Sequence, residues 1–363
     1  MNPATKPNKL FPRSLDVFEW CLSAPAVSFA MKTLSLIQAV SLLGVGVVAV
    51  AGRATAQPRG ATFRLSIGEA HALRLPADSA GRRVQAADVL LLSESRLAAL
   101  DLRYDRVVLA ESGPGGTRTV ASIPLPEHSP RARLMYDGSR VMVLGTATGV
   151  AWPIPLTDQH PTPGRRLTFG FPFSDACGTP SEITVVGLHN GRTVHRFGPR
   201  GDPLGSSGTP LAASLTAQRV AASVQGMSLC HGSRVIVASS ILPEVRALGT
   251  GGRAVWTWAV PDFAGVKPVE TSDGKTRFDH PPGGPDGILE LFAPAKEVVA
   301  VQVWRSRAPD VVETWFLDAS TGRVLGRQDD LPRIRQAVGG TTLLAVRRGN
   351  PSLQLIPYTA SER

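Results

Sequence analysis

One segment type recurs six times beyond residue 60. A polar or charged residue opens it, four or five apolar residues follow, and a turn then leads into a second strand-like run. The copies begin Arg96-Leu-Ala-Ala-Leu, Arg140-Val-Met-Val-Leu, Glu182-Ile-Thr-Val-Val, Arg234-Val-Ile-Val-Ala, Glu297-Val-Val-Ala-Val and Thr342-Leu-Leu-Ala-Val. Their starts lie 44, 42, 52, 63 and 45 residues apart. Short Val, Ile, Leu and Ala runs bounded by Gly, Pro, Asp and Ser are strand signals, and few stretches sustain a helical stripe.

A four-stranded propeller blade takes about 40–50 residues, so the spacing predicts an all-β, six-bladed β-propeller with insertions in the longer intervals. An inner strand is expected ahead of each copy, around 84–92, 131–136, 168–176, 220–229, 288–293 and 334–338. Asn190-Gly191 and Thr321-Gly322 read as hairpin turns. The last copy runs out near Pro357, too early for a fourth strand. Residues 61–67 are expected to supply it and so bury an exposed sheet edge. A ring of seven or eight blades and a pair of stacked β-sandwiches are the competing architectures.

The stretch Asp318-Ala-Ser-Thr-Gly-Arg-Val-Leu-Gly326, the residues 233–256 and the six copies together resemble exported bacterial six-bladed propellers, related in fold to NHL-repeat and gluconolactonase-like proteins. The resemblance covers residues 61–363 and implies a fold. Gluconolactonase-like enzymes hold a metal with an acidic and amide cluster, which makes that chemistry one expectation for this chain.

Residues 31–56 have the form of a signal peptide. Met31-Lys32 is a short basic start, Leu34–Val50 carries no charge, and Ala54-Thr55-Ala56 offers small residues for cleavage before Gln57. An uncleaved anchor is the alternative, although 17 apolar residues are short for a span. Residues 1–30 read as a mis-assigned leader, which leaves 57–363 as a single propeller domain in the periplasm or outside the cell, with no stable membrane span after cleavage. Of the three cysteines, Cys21 falls in that leader. Cys177 and Cys230 remain, each four or five residues before its repeat copy, near the inner-strand ends of successive blades. A disulfide between them is expected, against the alternative of two buried thiols.

The net charge of +10 falls to +7 without the five basic and two acidic residues of 1–56. What remains is dispersed, without the concentrated basic residues and interleaved aromatics of a nucleic-acid groove, so no nucleic-acid partner is expected. Zinc-protease, serine-hydrolase and phosphate-loop motifs do not occur. His189 and His195 flank a hairpin turn and are expected at the surface.

Two places are candidates for chemistry. Six to eight residues before each copy stand Asp88, Arg133, Asp175, Ser228, Glu290 and Gln336. On inner strands they would meet at the central channel. There Asp88, Asp175 and Glu290 could hold a divalent cation such as Ca through oxygen, or simply line a water-filled channel. The second place is 261–287, polar, proline-rich and poor in strand signal, with Asp279, His280 and Asp286 as its proton-exchanging or coordinating groups. Trp256 and Trp258 precede it at period two, as core packing or as a ligand platform.

Two functional classes follow. One is a monomeric binding or scaffold module, without cofactor, for an extracytoplasmic protein, peptide or glycan. The other is a metal-assisted lactone or ester hydrolase at the channel mouth.

Overall fold

The computed structural model describes residues 62–77, 81, 84–113, 116–129, 131–157, 161–208, 226–270, 272, 276–346 and 353–362. The expected leader and signal peptide lie outside the described residues.

The apolar copies are continuous rather than alternating because each becomes the second strand of its sheet and is buried on both faces. In the copy at Arg96, Leu97 and Ala99 face one neighbouring sheet while Ala98 and Leu100 face the other. In the copy at Glu297, Val299, Val301 and Val303 divide in the same way from Val298 and Ala300.

In chain order, β1 (Phe63–Ile67) and β2 (His71–Ala72) come first but belong to the last sheet. The first blade is β3 (Ala86–Leu91), β4 (Arg96–Asp101), β5 (Arg106–Gly113) and β6 (Gly116–Pro124). The second is β7 (Ala132–Tyr136), β8 (Arg140–Gly145), β9 (Val150–Pro155) and β10 (Leu167–Thr168). The third is β11 (Asp175–Thr179), β12 (Glu182–His189), β13 (Arg192–Phe197) and β14 (Pro203–Ser207). The fourth is β15 (Gly226–His231), β16 (Arg234–Ser239), β17 (Glu244–Leu248) and β18 (Ala254–Ala259). A separate hairpin, β19 (Lys267–Glu270) and β20 (Thr276–Asp279), precedes the fifth blade. That blade is β21 (Gly287–Ala295), β22 (Val298–Arg305), β23 (Ala308–Asp318) and β24 (Val324–Gln328). The sixth is β25 (Arg333–Val338), β26 (Thr342–Val346) and β27 (Leu353–Glu362), completed by β1.

Inner strands touch in the closed order β3, β7, β11, β15, β21, β25 and back to β3, which makes the molecule a six-bladed propeller. All pairings within the sheets are antiparallel, and no helix occurs among the described residues. The core is divided among the six seams between blades, each with its own apolar cluster.

Ring closure follows the expected scheme. β1 pairs with β27 from Phe63 opposite Glu362 to Ile67 opposite Tyr358. Phe63 and Leu65 point into the seam with the fifth blade, where the Phe63 ring lies 4.9 Å from that of Phe316. Gln328 then grips Leu65 at both ends, accepting from its N–H at 2.6 Å and donating to its carbonyl at 3.1 Å. The strands approach so closely that a Cβ on Gly326 would sit 2.3 Å from the Phe63 carbonyl oxygen. Asn190 and Gly191 both have positive φ (49° and 71°), as a two-residue hairpin turn requires.

Three expectations need correction. The third inner strand begins at Asp175 instead of 168, because Leu167-Thr168 still belongs to the second blade. The following Phe169, Phe171 and Phe173 are connecting chain that drops into the seam between those blades. His195 is not a surface residue but 2% exposed. Its ring packs on Phe171 at 4.4 Å, Nδ1 meets Ser206 Oγ, and Nε2 faces the Gly187 and Arg192 carbonyls. Finally, 261–287 is not without strand, since it contains the hairpin β19–β20.

Candidate functional site

All six counted positions fall on inner strands. They stand opposite Leu100 (Asp88), Leu144 (Arg133), Val186 (Asp175), Val237 (Ser228), Gln302 (Glu290) and Leu344 (Gln336). The inner strand of each blade has one edge without a sheet partner, and its N–H groups need acceptors. Several of these side chains supply them across the seams. Asp88 Oδ2 accepts from the Leu134 N–H at 2.9 Å, and Asp175 Oδ2 from the Ser228 N–H at 2.7 Å and its hydroxyl at 3.0 Å. Gln336 accepts from the Leu91 N–H at 2.8 Å and donates to the Leu91 carbonyl at 2.9 Å. At the seam between blades five and six the acceptor is Gln302, 2.6 Å from the Ile334 N–H. Counting back from the copies missed it because it sits on the second strand, opposite Glu290.

The remaining charge is met by arginines. Arg335 on β25 lies 3.0 Å from Asp88 Oδ1 and 3.9 Å from Glu290 Oε1, and Arg333 reaches the same Glu290 oxygen at 2.5 Å. Arg133 approaches Asp175 Oδ1 to 3.9 Å. Burial alone would lower the pKa of Arg335, but the charges of Asp88, Glu290 and Asp175 together raise it. Burial pushes the Asp175 carboxyl up, and Arg133 with the Ser228 hydrogen bonds only partly offsets that. The period-two pair Arg333 and Arg335 was the sequence signal for this partner set.

The three acids expected to converge do gather around the channel, each in contact with a guanidinium rather than with open space. A hard divalent cation needs six to eight oxygen ligands with room around them. Here both oxygens of Asp88 and Oδ2 of Asp175 are engaged by backbone N–H groups, and Arg335 already places positive charge beside Asp88. The arrangement does not fit an oxygen cage, and among the described residues no three His, Cys, Asp or Glu side chains are grouped to hold a metal.

In the second candidate region, Asp286 separates from Asp279 and His280. Asp279 ends β20 and His280 follows it, both exposed, whereas Asp286 is buried. Asp286 accepts from Arg305 at 2.9 Å, from the Ala264 N–H at 2.9 Å and from the Ser306 N–H at 3.0 Å. Arg305 also donates to the Pro261 and Asp262 carbonyls and to Glu313. These bonds clamp the base of the insertion, and Val266 plugs it against Ile241. Trp256 is seam packing: its Nε1 donates to the Ala319 carbonyl at 3.0 Å, and a Cβ on Gly322 would strike its ring at 2.7 Å. Trp258 meets Trp315 of the next blade, with ring centroids 5.6 Å apart.

The disulfide expected from the repeat register is present. Cys177 on β11 and Cys230 on β15 are bonded, with Cα atoms 5.4 Å apart.

No protein-family model matches the chain, and no curated protein matches its sequence. Solved structures do resemble it. A member of the DUF4221 family from Bacteroides vulgatus is 8% identical with a TM-score of 0.51, covering 83% of this chain and 99% of its own. A Bacteroides fragilis protein described as exported is 10% identical with a TM-score of 0.50, covering 83% and 96%. At such identities the likeness is one of fold, and the chain shares its overall fold with these two proteins.

Proposed function

We propose that this propeller is an extracytoplasmic binding or scaffold module for a protein, peptide or glycan. One observation carries the reading: the channel acids that a metal-assisted hydrolase would need are engaged by Arg333 and Arg335 and by amides of neighbouring blades. The Cys177–Cys230 disulfide and the signal-peptide pattern of 31–56 support a location outside the cytoplasm. The exported description of the Bacteroides fragilis protein agrees with it. Among the described residues, no helix is long and apolar enough to cross a membrane.

In an up-and-down blade, connections into each inner strand share a face with those between second and third strands. The insertion between β18 and β21 therefore stands on that face. Elemental analysis of the purified protein tests the reading. Sub-stoichiometric metal is expected; one equivalent of calcium that disappears in Asp175→Ala would return the hydrolase.

A further inference from the structure

The channel wall is built with more guanidinium donors than its acids use. Arg133 makes no hydrogen bond among the described residues, and its nearest acid is 3.9 Å away. Arg333 directs two nitrogens at a single oxygen of Glu290. Arg335 reaches one oxygen of Asp88 closely and Glu290 only at 3.9 Å. Because Asp88 and Asp175 each give an oxygen to the next blade's backbone, less of their acceptor capacity is left for the arginines. The three arginine side chains also stay wet, at 36%, 44% and 32% exposure, while the acids beside them are 11–19% exposed.

We propose that the channel takes a carboxylate, held by the guanidinium groups of Arg133, Arg333 and Arg335. A guanidinium presents a planar fork that matches a carboxylate with two parallel, charge-assisted hydrogen bonds. Arg133 comes from the second blade and the other two from the sixth. Arg335 feels Asp175 of the opposite third blade, so the groups face one lumen. Formally the ring is neutral, with three arginines against Asp88, Asp175 and Glu290. Burial already disfavours the ionised form of Asp175, the acid between Arg133 of β7, Ser228 of β15 and Arg335 of β25. The source of the carboxylate is either an acidic sugar or a peptide C-terminus.

The inference rests on the binding-module reading and names the chemistry of its ligand. Calorimetry on the full mature protein at low salt tests it with glucuronate and N-acetyl-dialanine, against glucose and N-acetyl-dialanine amide as uncharged controls. At least one acid is expected to bind while its control does not, and which one binds identifies the source. Arg133→Gln, which removes no hydrogen bond of the fold, should weaken binding about tenfold. Asp175→Asn, which keeps an acceptor for Ser228 while deleting the competing charge, should tighten it. Binding of neither acid, equal binding of acid and control, or an unchanged affinity in Arg133→Gln would overturn the proposal. Such a failure would leave a module with its ligand seated elsewhere, whereas stoichiometric metal would remove the module reading itself.

Discussion

Asp175 on the third blade accepts two hydrogen bonds from Ser228 on the fourth, from its amide at 2.7 Å and its hydroxyl at 3.0 Å. Two residues further along each strand, Cys177 and Cys230 join the same two blades covalently. One seam thus carries a polar and a covalent link side by side, on strands whose channel-facing edge has no sheet partner.

Replacing Asp175 with alanine orphans the Ser228 N–H and should cost about 1–3 kcal/mol in chemical denaturation, while asparagine keeps an acceptor and should cost less. The pH dependence separates the two further. The Asp175 carboxyl titrates above its usual 3.8 in the folded chain, so the native state holds this proton more tightly than the unfolded chain does. Its contribution is full below that ordinary value and is lost as pH rises through the raised one. Wild type should therefore gain on Asp175→Asn as the pH is lowered from 7 through that range.

The disulfide closes a loop of 53 residues. Its removal in a Cys177→Ser, Cys230→Ser double variant should cost about 4 kcal/mol in the chain-entropy view. Non-reduced peptide mapping of the purified protein should show the linked pair. Two alkylatable thiols would contradict the register of the blades as well as the bond.

Much of this fold was legible because second strands buried on both faces leave unbroken apolar runs, and six such runs at blade-sized intervals admit few architectures. The disulfide followed from the same register, since Cys177 and Cys230 occupy matching places in successive blades. The partners in the channel were less legible. Arg333 and Arg335 matter because the sixth blade closes beside the first and faces the third, a relation that needs the closed ring. His195 and the Phe169–Phe173 zigzag misled for a different reason. Hairpin flanks and aromatic alternation look like surface and strand, until the adjoining blade covers them.

Ring closure by β1 predicts a large effect from a small change. Leu65 is 3% exposed and held at both backbone ends by Gln328. Leu65→Ala should cost about 2–5 kcal/mol, and deletion of 57–68 should lower the calorimetric Tm further. A truncated protein melting at the wild-type temperature would refute the closure.

Arg305 holds two buried acids, Asp286 and Glu313, with side-chain exposures of 3%, 1% and 8%. Arg305→Met should cost about 3–5 kcal/mol, because both charges lose a buried partner. Burial would raise the Asp286 pKa, but the Ala264 N–H, Arg305 and the Ser306 N–H hold it below 3.8. A depressed acid stabilises the fold above its unfolded value, and that share is lost as pH falls through the folded one. Denaturation midpoints below pH 4 should therefore drop more steeply in wild type than in Arg305→Met.

The central claim is that the channel acids serve the neighbouring blades. Hydrogen exchange at the Leu134 and Ser228 amides reads it directly, since Asp88 and Asp175 are their acceptors across the seams. Both amides should exchange slowly in the wild type without added metal, and remain slow in Asp88→Asn and Asp175→Asn. They should speed up in the matching alanine variants while amides of the central strands stay protected. Fast exchange in the metal-free wild type that slows only when calcium is added would contradict the account, and would return these acids to a metal.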